Sequence, residues 1–235
     1  MGVQIGIGAI AKAVYERNRI HTNIFEMNIQ NINDAAESIK ALQQIDSYKW
    51  AYDVYVNTVS QADMATSFEQ CCLLAYIIQN YPLKRILDTG SGIATYFIRH
   101  AVQSHPIEVV TFETDASWLE KTKKYLAQHQ LSDENMFLWD DVKDKDLGTF
   151  DLIYHDLGGL ELRQVVLDNI AQRTSENGIL IADDIHYDYP PDYAIRSGFQ
   201  KYFAERKWTE VDIKELSMDR FTRYAGLFIN NGRVL

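Results

Sequence analysis

The stretch Arg85-Ile-Leu-Asp-Thr-Gly-Ser-Gly-Ile-Ala-Thr95 constrains this chain more than any other. Ile86 and Leu87 read as a buried strand that ends on an acid, Asp88. Thr89, Gly90, Ser91 and Gly92 follow as a turn with two glycines, and Ile93 opens a helix. This succession makes a place where a ligand meets bare backbone. Glycine permits close approach, and the helix end offers N–H groups without partners. The order predicts an α/β unit with a nucleotide-type site at the carboxyl end of its first strand.

Two details decide which nucleotide fits. A dinucleotide turn, G-x-G-x-x-G/A, needs a third small residue for close helix–strand packing; Thr95 stands there. Asp88, just ahead of the turn, would repel a pyrophosphate. It suits a ligand with positive charge near the glycines, such as the ammonium and sulfonium of S-adenosylmethionine. The next strand, Glu108 to Glu113, ends on an acid, and an acid about 20 residues past the glycines is placed to accept from ribose hydroxyls. Asp115 reads as the N-cap of the helix that follows.

These pieces resemble the class I S-adenosylmethionine-dependent methyltransferases. The resemblance rests on Ile86–Gly92, Val110–Asp115, Phe137–Asp141, Phe150–Asp156 and Gly178–Asp184, in the family's order and spacing. It implies a Rossmann-like, seven-stranded, mostly parallel sheet with an antiparallel last strand. It also implies a cofactor site in which Asp88, Gly90 and Gly92 line the methionine end. Glu113 would hold the ribose, and Asp141 would reach the adenine amino group. Thr89, Ser91, Thr114, Asp140 and His155 complete the expected cofactor set.

The chain has two textures. Residues 1–82 read as helices, with Ile10, Val14, Ile24, Ile29, Ile32, Ala36, Ile39 and Leu42 recurring at helical spacing. One helix is predicted to follow Ser60, capped with Asp63, and to stop at Pro82. This region is expected to serve as a cap over the acceptor, with Tyr52, Tyr55, Met64 and Phe68 as contacts, or as a homodimer interface. Residues 83–235 form the expected cofactor-binding catalytic domain. Strands are predicted near 84–89, 107–113, 135–139, 150–155 and 178–183, and helices near 93–104, 116–129, 160–173 and 191–205. The end reads as a hairpin, 208–215 and 222–230, turning at Ser217–Arg220.

Chemistry is expected at the ends of the fourth and fifth strands, where ligands of open α/β sheets bind. His155 and Asp156 close one; Asp183, Asp184 and His186 close the other. Three converging carboxylates need positive charge among them to stay ionised. Metal-dependent O-methyltransferases meet this need with Mg²⁺, and the resemblance makes Asp156, Asp183 and Asp184 its ligands. His186 or His155 would be the general base. A metal-free base mechanism through His155, Asp156 or His186 is the other arrangement. The aromatic loop around Tyr187, Tyr189, Pro190, Pro191 and Tyr193 could stack on an acceptor.

Composition excludes some partners. A net charge of −10, with no basic stripe, argues against nucleic acid. Met1–Ile10 is too short to span a bilayer and has no basic lead. Adjacent Cys71 and Cys72 have neither disulfide nor metal spacing, so a reduced, cytoplasmic protein is expected. The expectation is methyl transfer from S-adenosylmethionine to a small-molecule oxygen, with or without Mg²⁺. The alternatives are a metal-independent N-methyltransferase and a non-catalytic S-adenosylmethionine-binding protein.

Overall fold

The structure, a computed structural model, describes residues 35–186, 188–189 and 193–232, with only the backbone at 188–189 and 193–194. The apolar series from Ile10 to Ile32, and the side chains of the aromatic loop 187–193, lie outside it. Three helices come first: α1 (Ala36–Gln43), α2 (Asp46–Thr58) and α3 (Phe68–Asn80). The alternating part runs β1 (Arg85–Thr89), α4 (Ile93–Val102), β2 (Glu108–Glu113), α5 (Ala116–Gln128), β3 (Met136–Leu138), α6 (Trp139–Val142) and β4 (Phe150–His155). It continues through α7 (Leu160–Val165), α8 (Leu167–Ala171), β5 (Thr174–Ala182), a short ribbon of β6 (Asp188–Tyr189) and β7 (Tyr193–Ala194), and α9 (Ile195–Glu205). The end is β8 (Thr209–Val211), α10 (Lys214–Ser217) and β9 (Gly226–Ile229).

The main sheet has seven strands in the order β3-β2-β1-β4-β5-β9-β8. The first five are parallel; β9 pairs antiparallel with β5 and β8. The expected Rossmann-like sheet with an antiparallel ending is therefore present. Strand order reverses between β1 and β4, which opens a crevice beyond their carboxyl ends.

Both faces of the sheet are covered, so the strands read as continuous apolar runs and their residues alternate between two cores. Ile86, Leu152, Tyr154, Ile179 and Ile181 face one core, with residues of α1–α5. Leu87, Ile153, Leu180 and Phe228 face the other, with residues of α6–α9. Each fully buried Leu or Ile contributes about 1.5–3 kcal/mol. Because residues from Ala35 to Ile78 share the first core with the sheet, helices α1–α3 pack as part of the same body.

Several boundaries differ from expectation. Helix α3 begins after Ser67, whose hydroxyl accepts from Gln70 N–H (3.1 Å), and residues 60–67 form no helix. Ser60 carries a comparable cap pattern, but only Ser67 is anchored from outside, by donating to the Ser217 carbonyl (2.9 Å). The predicted helix 160–173 is two short helices that meet at Val166. Helix α10 occupies part of the predicted final hairpin, and β5 begins earlier than predicted, at Thr174. Among the described residues, no helix is long and apolar enough to cross a membrane.

Candidate active site

The glycine turn is held from three sides. Gly90 has φ +98, and a Cβ there would stand 2.1 Å from the Asp156 carbonyl oxygen. Only glycine fits where the chain leaving β1 crosses the chain leaving β4. Gly90 N–H donates to Phe112 O (2.8 Å) and Asp156 N–H to Thr89 O (2.7 Å), so both flanking strands fix the turn. Trp118 of α5 donates its indole N–H to Ser91 O (2.6 Å).

Asp88 is fully buried and does not line the cleft directly. Its Oδ2 accepts from Thr95 Oγ1 (2.6 Å) and Thr111 Oγ1 (3.3 Å), while Thr95 Oγ1 accepts from Gly92 N–H (2.9 Å). Asp88 thus steadies the turn through Thr95. Burial raises its pKa to about 7, against the two threonine hydrogen bonds and the Arg99 charge.

Glu113 ends β2 where expected, next to the turn. Its Oε2 accepts from Ser91 N–H (2.8 Å) and Ser91 Oγ (3.0 Å). Its Oε1 accepts from Thr114 N–H (2.6 Å), Thr114 Oγ1 (3.2 Å) and Asp115 N–H (3.0 Å). The two hydroxyls make the longest contacts on their respective oxygens and can rotate away; the three N–H groups cannot. Asp140 and Asp141 stand exposed on α6, just past β3, and Asp140 pairs with Lys143 (2.8 Å).

One residue of the helical region also reaches the turn. The Tyr55 hydroxyl lies 3.5 Å from where a Cβ on Gly92 would stand. It is buried, with the Thr122 hydroxyl as its polar neighbour. Tyr52, by contrast, donates to Thr66 O (3.1 Å), Phe68 packs on Phe97, and Met64 is exposed.

Beyond β4 and β5 the three expected acids converge. Asp156, Asp183 and Asp184 each offer a carboxylate oxygen within 4.8 Å of the others. Asp183 is the most enclosed. Its Oδ2 accepts from the Tyr154 hydroxyl (2.9 Å) and its Oδ1 from Asp184 N–H (2.7 Å). The Tyr154 hydroxyl accepts in turn from Gln70 Nε2 (2.8 Å) and meets Thr66 Oγ1 (3.0 Å). Asp156 and Asp184 keep 19% of their side-chain surface exposed, so the trio opens outward. Burial, and then the neighbouring carboxylates, push the Asp156 pKa well up, with Arg163 opposing; Asp183 is raised by burial and Asp184.

The positive charge among these acids is Arg163, which sequence reasoning missed. Its guanidinium pairs with Asp156 Oδ1 through Nη2 and with Asp184 Oδ2 through Nη1 (3.0 Å). It sits on α7, after the Gly158-Gly159 turn, where Gly158 takes φ +60 and folds the chain back.

The two histidines part ways. His155 is fully buried on the sheet face opposite Tyr154. Nδ1 meets Thr89 Oγ1 (2.9 Å) and Nε2 meets Arg163 O (3.1 Å). Burial lowers its pKa to about 4. With both nitrogens engaged it supports β1 and α7, and it lies on the sheet face away from the acid cluster. His186 is half-buried, with Nδ1 3.9 Å from Asp184 Oδ1 and 3.4 Å from the donating Tyr224 N–H. Burial lowers its pKa.

Arg223 fastens the residues in front of this site. It donates to the carbonyls of Ala62 (3.0 Å), Asp63 (2.8 Å) and Ala65 (2.9 Å) while paired with Asp219 (2.7 Å). The segment that carries Thr66 is thereby tied to the chain entering β9.

No protein-family model matches the chain, and no curated protein matches it in sequence. Solved structures do resemble it. The O-methyltransferase TomG from Streptomyces achromogenes, involved in tomaymycin synthesis and solved with S-adenosylmethionine, superposes at TM-score 0.62 and 16% identity, over 80% of this chain and 91% of that one. The methyltransferase PaMTH1 of Podospora anserina, bound to S-adenosylhomocysteine, gives 0.58 and 14%, over 98% and 97%. An S-adenosylmethionine-dependent O-methyltransferase from Thermotoga maritima gives 0.59 and 16%, over 79% and 72%. At such identities the likeness carries the fold: this chain has the class I methyltransferase fold.

Proposed function

We propose that this chain transfers a methyl group from S-adenosylmethionine to an oxygen of a small-molecule acceptor. One observation carries the reading. The backbone of Asp156 lies against the Gly90 turn while its carboxylate opens into the acid cluster. A nucleotide-type turn and a proton-accepting group therefore share one crevice.

The residues present fit the cofactor. The turn leaves backbone accessible at Gly92, and the Tyr55 hydroxyl beside it, next to Thr122, offers a hydrogen bond to the methionine end. Glu113 takes the ribose once the Ser91 and Thr114 hydroxyls yield, and Asp141 takes the adenine edge. Bound there, S-adenosylmethionine supplies an electrophilic methyl carbon. The chain aligns the acceptor, a contribution of about 7–11 kcal/mol in well-oriented reactions. Asp156 receives the acceptor proton: Arg163 holds its carboxylate ionised through Oδ1, and Oδ2 stays clear of the guanidinium. Helices α1–α3 serve as the cap over the acceptor. Mg²⁺ has no place in this reading, because two of its three expected ligands already hold Arg163.

The test is calorimetric titration with S-adenosylhomocysteine, followed by transfer of labelled methyl groups to a panel of phenols, sugars and amines. Binding together with labelled phenol or sugar ethers is the expected result. Binding without product on any acceptor would favour a non-catalytic cofactor-binding protein, and labelled amines alone would replace oxygen by nitrogen.

A further inference from the structure

We propose that the Arg163 guanidinium takes the place of a divalent cation in the acid trio, so that this site assembles and works without a metal ion. The inference rests on the methyl-transfer reading for its chemistry, but its geometry stands independently. An arginine carries a permanent charge and a flat fork of donors that matches two carboxylates at once. Arg163 uses that fork across the trio, one terminal nitrogen on Asp156 and the other on Asp184.

Arg163 is built into this position. Its Nε donates to Gly158 O (3.2 Å), and Nη1 also approaches Asp183 O (3.4 Å). Its own backbone is pinned on both sides: the N–H donates to Gly159 O (3.2 Å), and the carbonyl meets His155 Nε2 (3.1 Å). The side chain retains only 9% of its exposure. Buried His155 thereby gains a purpose, since it holds the backbone from which Arg163 reaches the acids.

The oxygens left over do not make a metal site. Both oxygens of Asp183 accept from protein donors, Tyr154 and Asp184 N–H. Asp156 Oδ1 and Asp184 Oδ2 hold the guanidinium. That leaves Asp156 Oδ2, 3.5 Å from Thr66 Oγ1, and Asp184 Oδ1, near His186. Mg²⁺ requires a near-ideal octahedron of oxygens at about 2.0–2.1 Å. Those two oxygens supply only part of such a shell, and a cation drawing on them would have to sit against a buried guanidinium anchored at four points.

With Arg163 in place the reaction balances without a Lewis acid. The acceptor hydroxyl gives its proton to Asp156, and the oxygen lone pair forms the new O–C bond. The electron pair of the broken C–S bond remains on sulfur, which neutralises the sulfonium. Arg163 is placed against neither acceptor nor cofactor; through its hold on Asp156 Oδ1 and Asp184 Oδ2 it is a positioning residue that orients the two carboxylates.

The experiment is a titration of Mn²⁺ into the chelator-treated full chain, read by electron paramagnetic resonance, for wild type, Arg163→Met and Arg163→Lys. Wild type should bind no Mn²⁺ saturably up to millimolar concentration. Arg163→Met, whose fold is checked by circular dichroism, should gain a saturable site at least about 100-fold tighter, which Asp184→Asn in the same chain should remove. Arg163→Lys keeps a charge among the acids and should stay closed to Mn²⁺. Stoichiometric Mn²⁺ binding by wild type would overturn the proposal, as would a folded Arg163→Met variant that binds none. Because the readout needs neither cofactor nor turnover, it is separate from the methyl-transfer reading, which fails on its own if S-adenosylhomocysteine does not bind.

Discussion

The Thr95 hydroxyl stands 2.6 Å from the Asp88 carboxylate and accepts from the Gly92 N–H at 2.9 Å. A strand residue thus governs a turn that it does not touch. The same Thr95 that departs from the dinucleotide pattern is what connects them. Thr95→Val removes the hydroxyl at nearly constant volume and strips a partner from the buried Asp88 carboxylate and from the half-buried Gly92 N–H. The expected loss is about 1–3 kcal/mol in urea unfolding, with weaker S-adenosylhomocysteine binding, while Thr95→Ser stays close to wild type. An unchanged unfolding midpoint in Thr95→Val would mean that the turn is held by other contacts.

Asp88 should leave a mark on the pH dependence of stability. Its pKa is raised from 3.8 to about 7 by burial. Below the unfolded value both states are protonated, and the folded chain bears no penalty. As pH rises toward the folded value, the unfolded chain ionises and the folded one does not, so stability falls and then levels off. The span corresponds to roughly 4 kcal/mol. Asp88→Asn has no such proton to lose. The unfolding free energy of wild type minus that of Asp88→Asn should therefore decline by this order between about pH 4 and pH 8. A flat difference would show that Asp88 ionises as readily folded as unfolded.

Tyr154→Phe tests the acceptor side without disturbing the cofactor turn. The lost hydroxyl leaves Gln70 Nε2 and Asp183 Oδ2 buried without that partner, a cost of about 1–3 kcal/mol. Asp183 then loses its anchor on the α3 side. S-adenosylhomocysteine affinity should hold and turnover should fall, because the network lies beyond β4 and β5, away from Glu113. Reduced cofactor affinity with normal turnover would reverse the assignment of the two sides.

How much of this was legible in the sequence follows from alternation and from turns. The strands were readable because both faces are covered, so the short apolar runs Ile86-Leu87, Val109-Val110, Leu152-Ile153 and Ile179–Ala182 stand out. The acids at the strand ends were readable for the same reason: the sheet's edge fixes where each run stops. What alternation could also have told is that Tyr154 and His155 face opposite ways. With β4 beside β5 in the register Tyr154↔Ile181, Asp183 falls on the Tyr154 side, and His155 is committed to the far core. Arg163 was out of reach. It lies past the Gly158-Gly159 turn, and the backbone angle at Gly158, not any periodicity, aims α7 back at Asp156. The start of α3 was equally undecidable locally, since the contact that selects Ser67 comes from Ser217, far along the chain.

Glu113 offers the sharpest test of the proposed cofactor site, because its hold on the turn and the proposed ribose contact can be separated. It receives N–H groups from Ser91, Thr114 and Asp115, so any substitution also loosens the turn. Glu113→Gln turns one acceptor oxygen into a donor that faces donors. An S-adenosylhomocysteine affinity about 10–100-fold lower is expected, on the scale of a lost charged hydrogen bond. That loss alone does not identify a ribose contact. A cycle with the 2′-deoxy analogue does. If Glu113 holds the ribose, removing the 2′-hydroxyl weakens binding to wild type and costs little more in Glu113→Gln. If the analogue loses the same factor against both proteins, Glu113 acts only on the turn, and the ribose is held by another group.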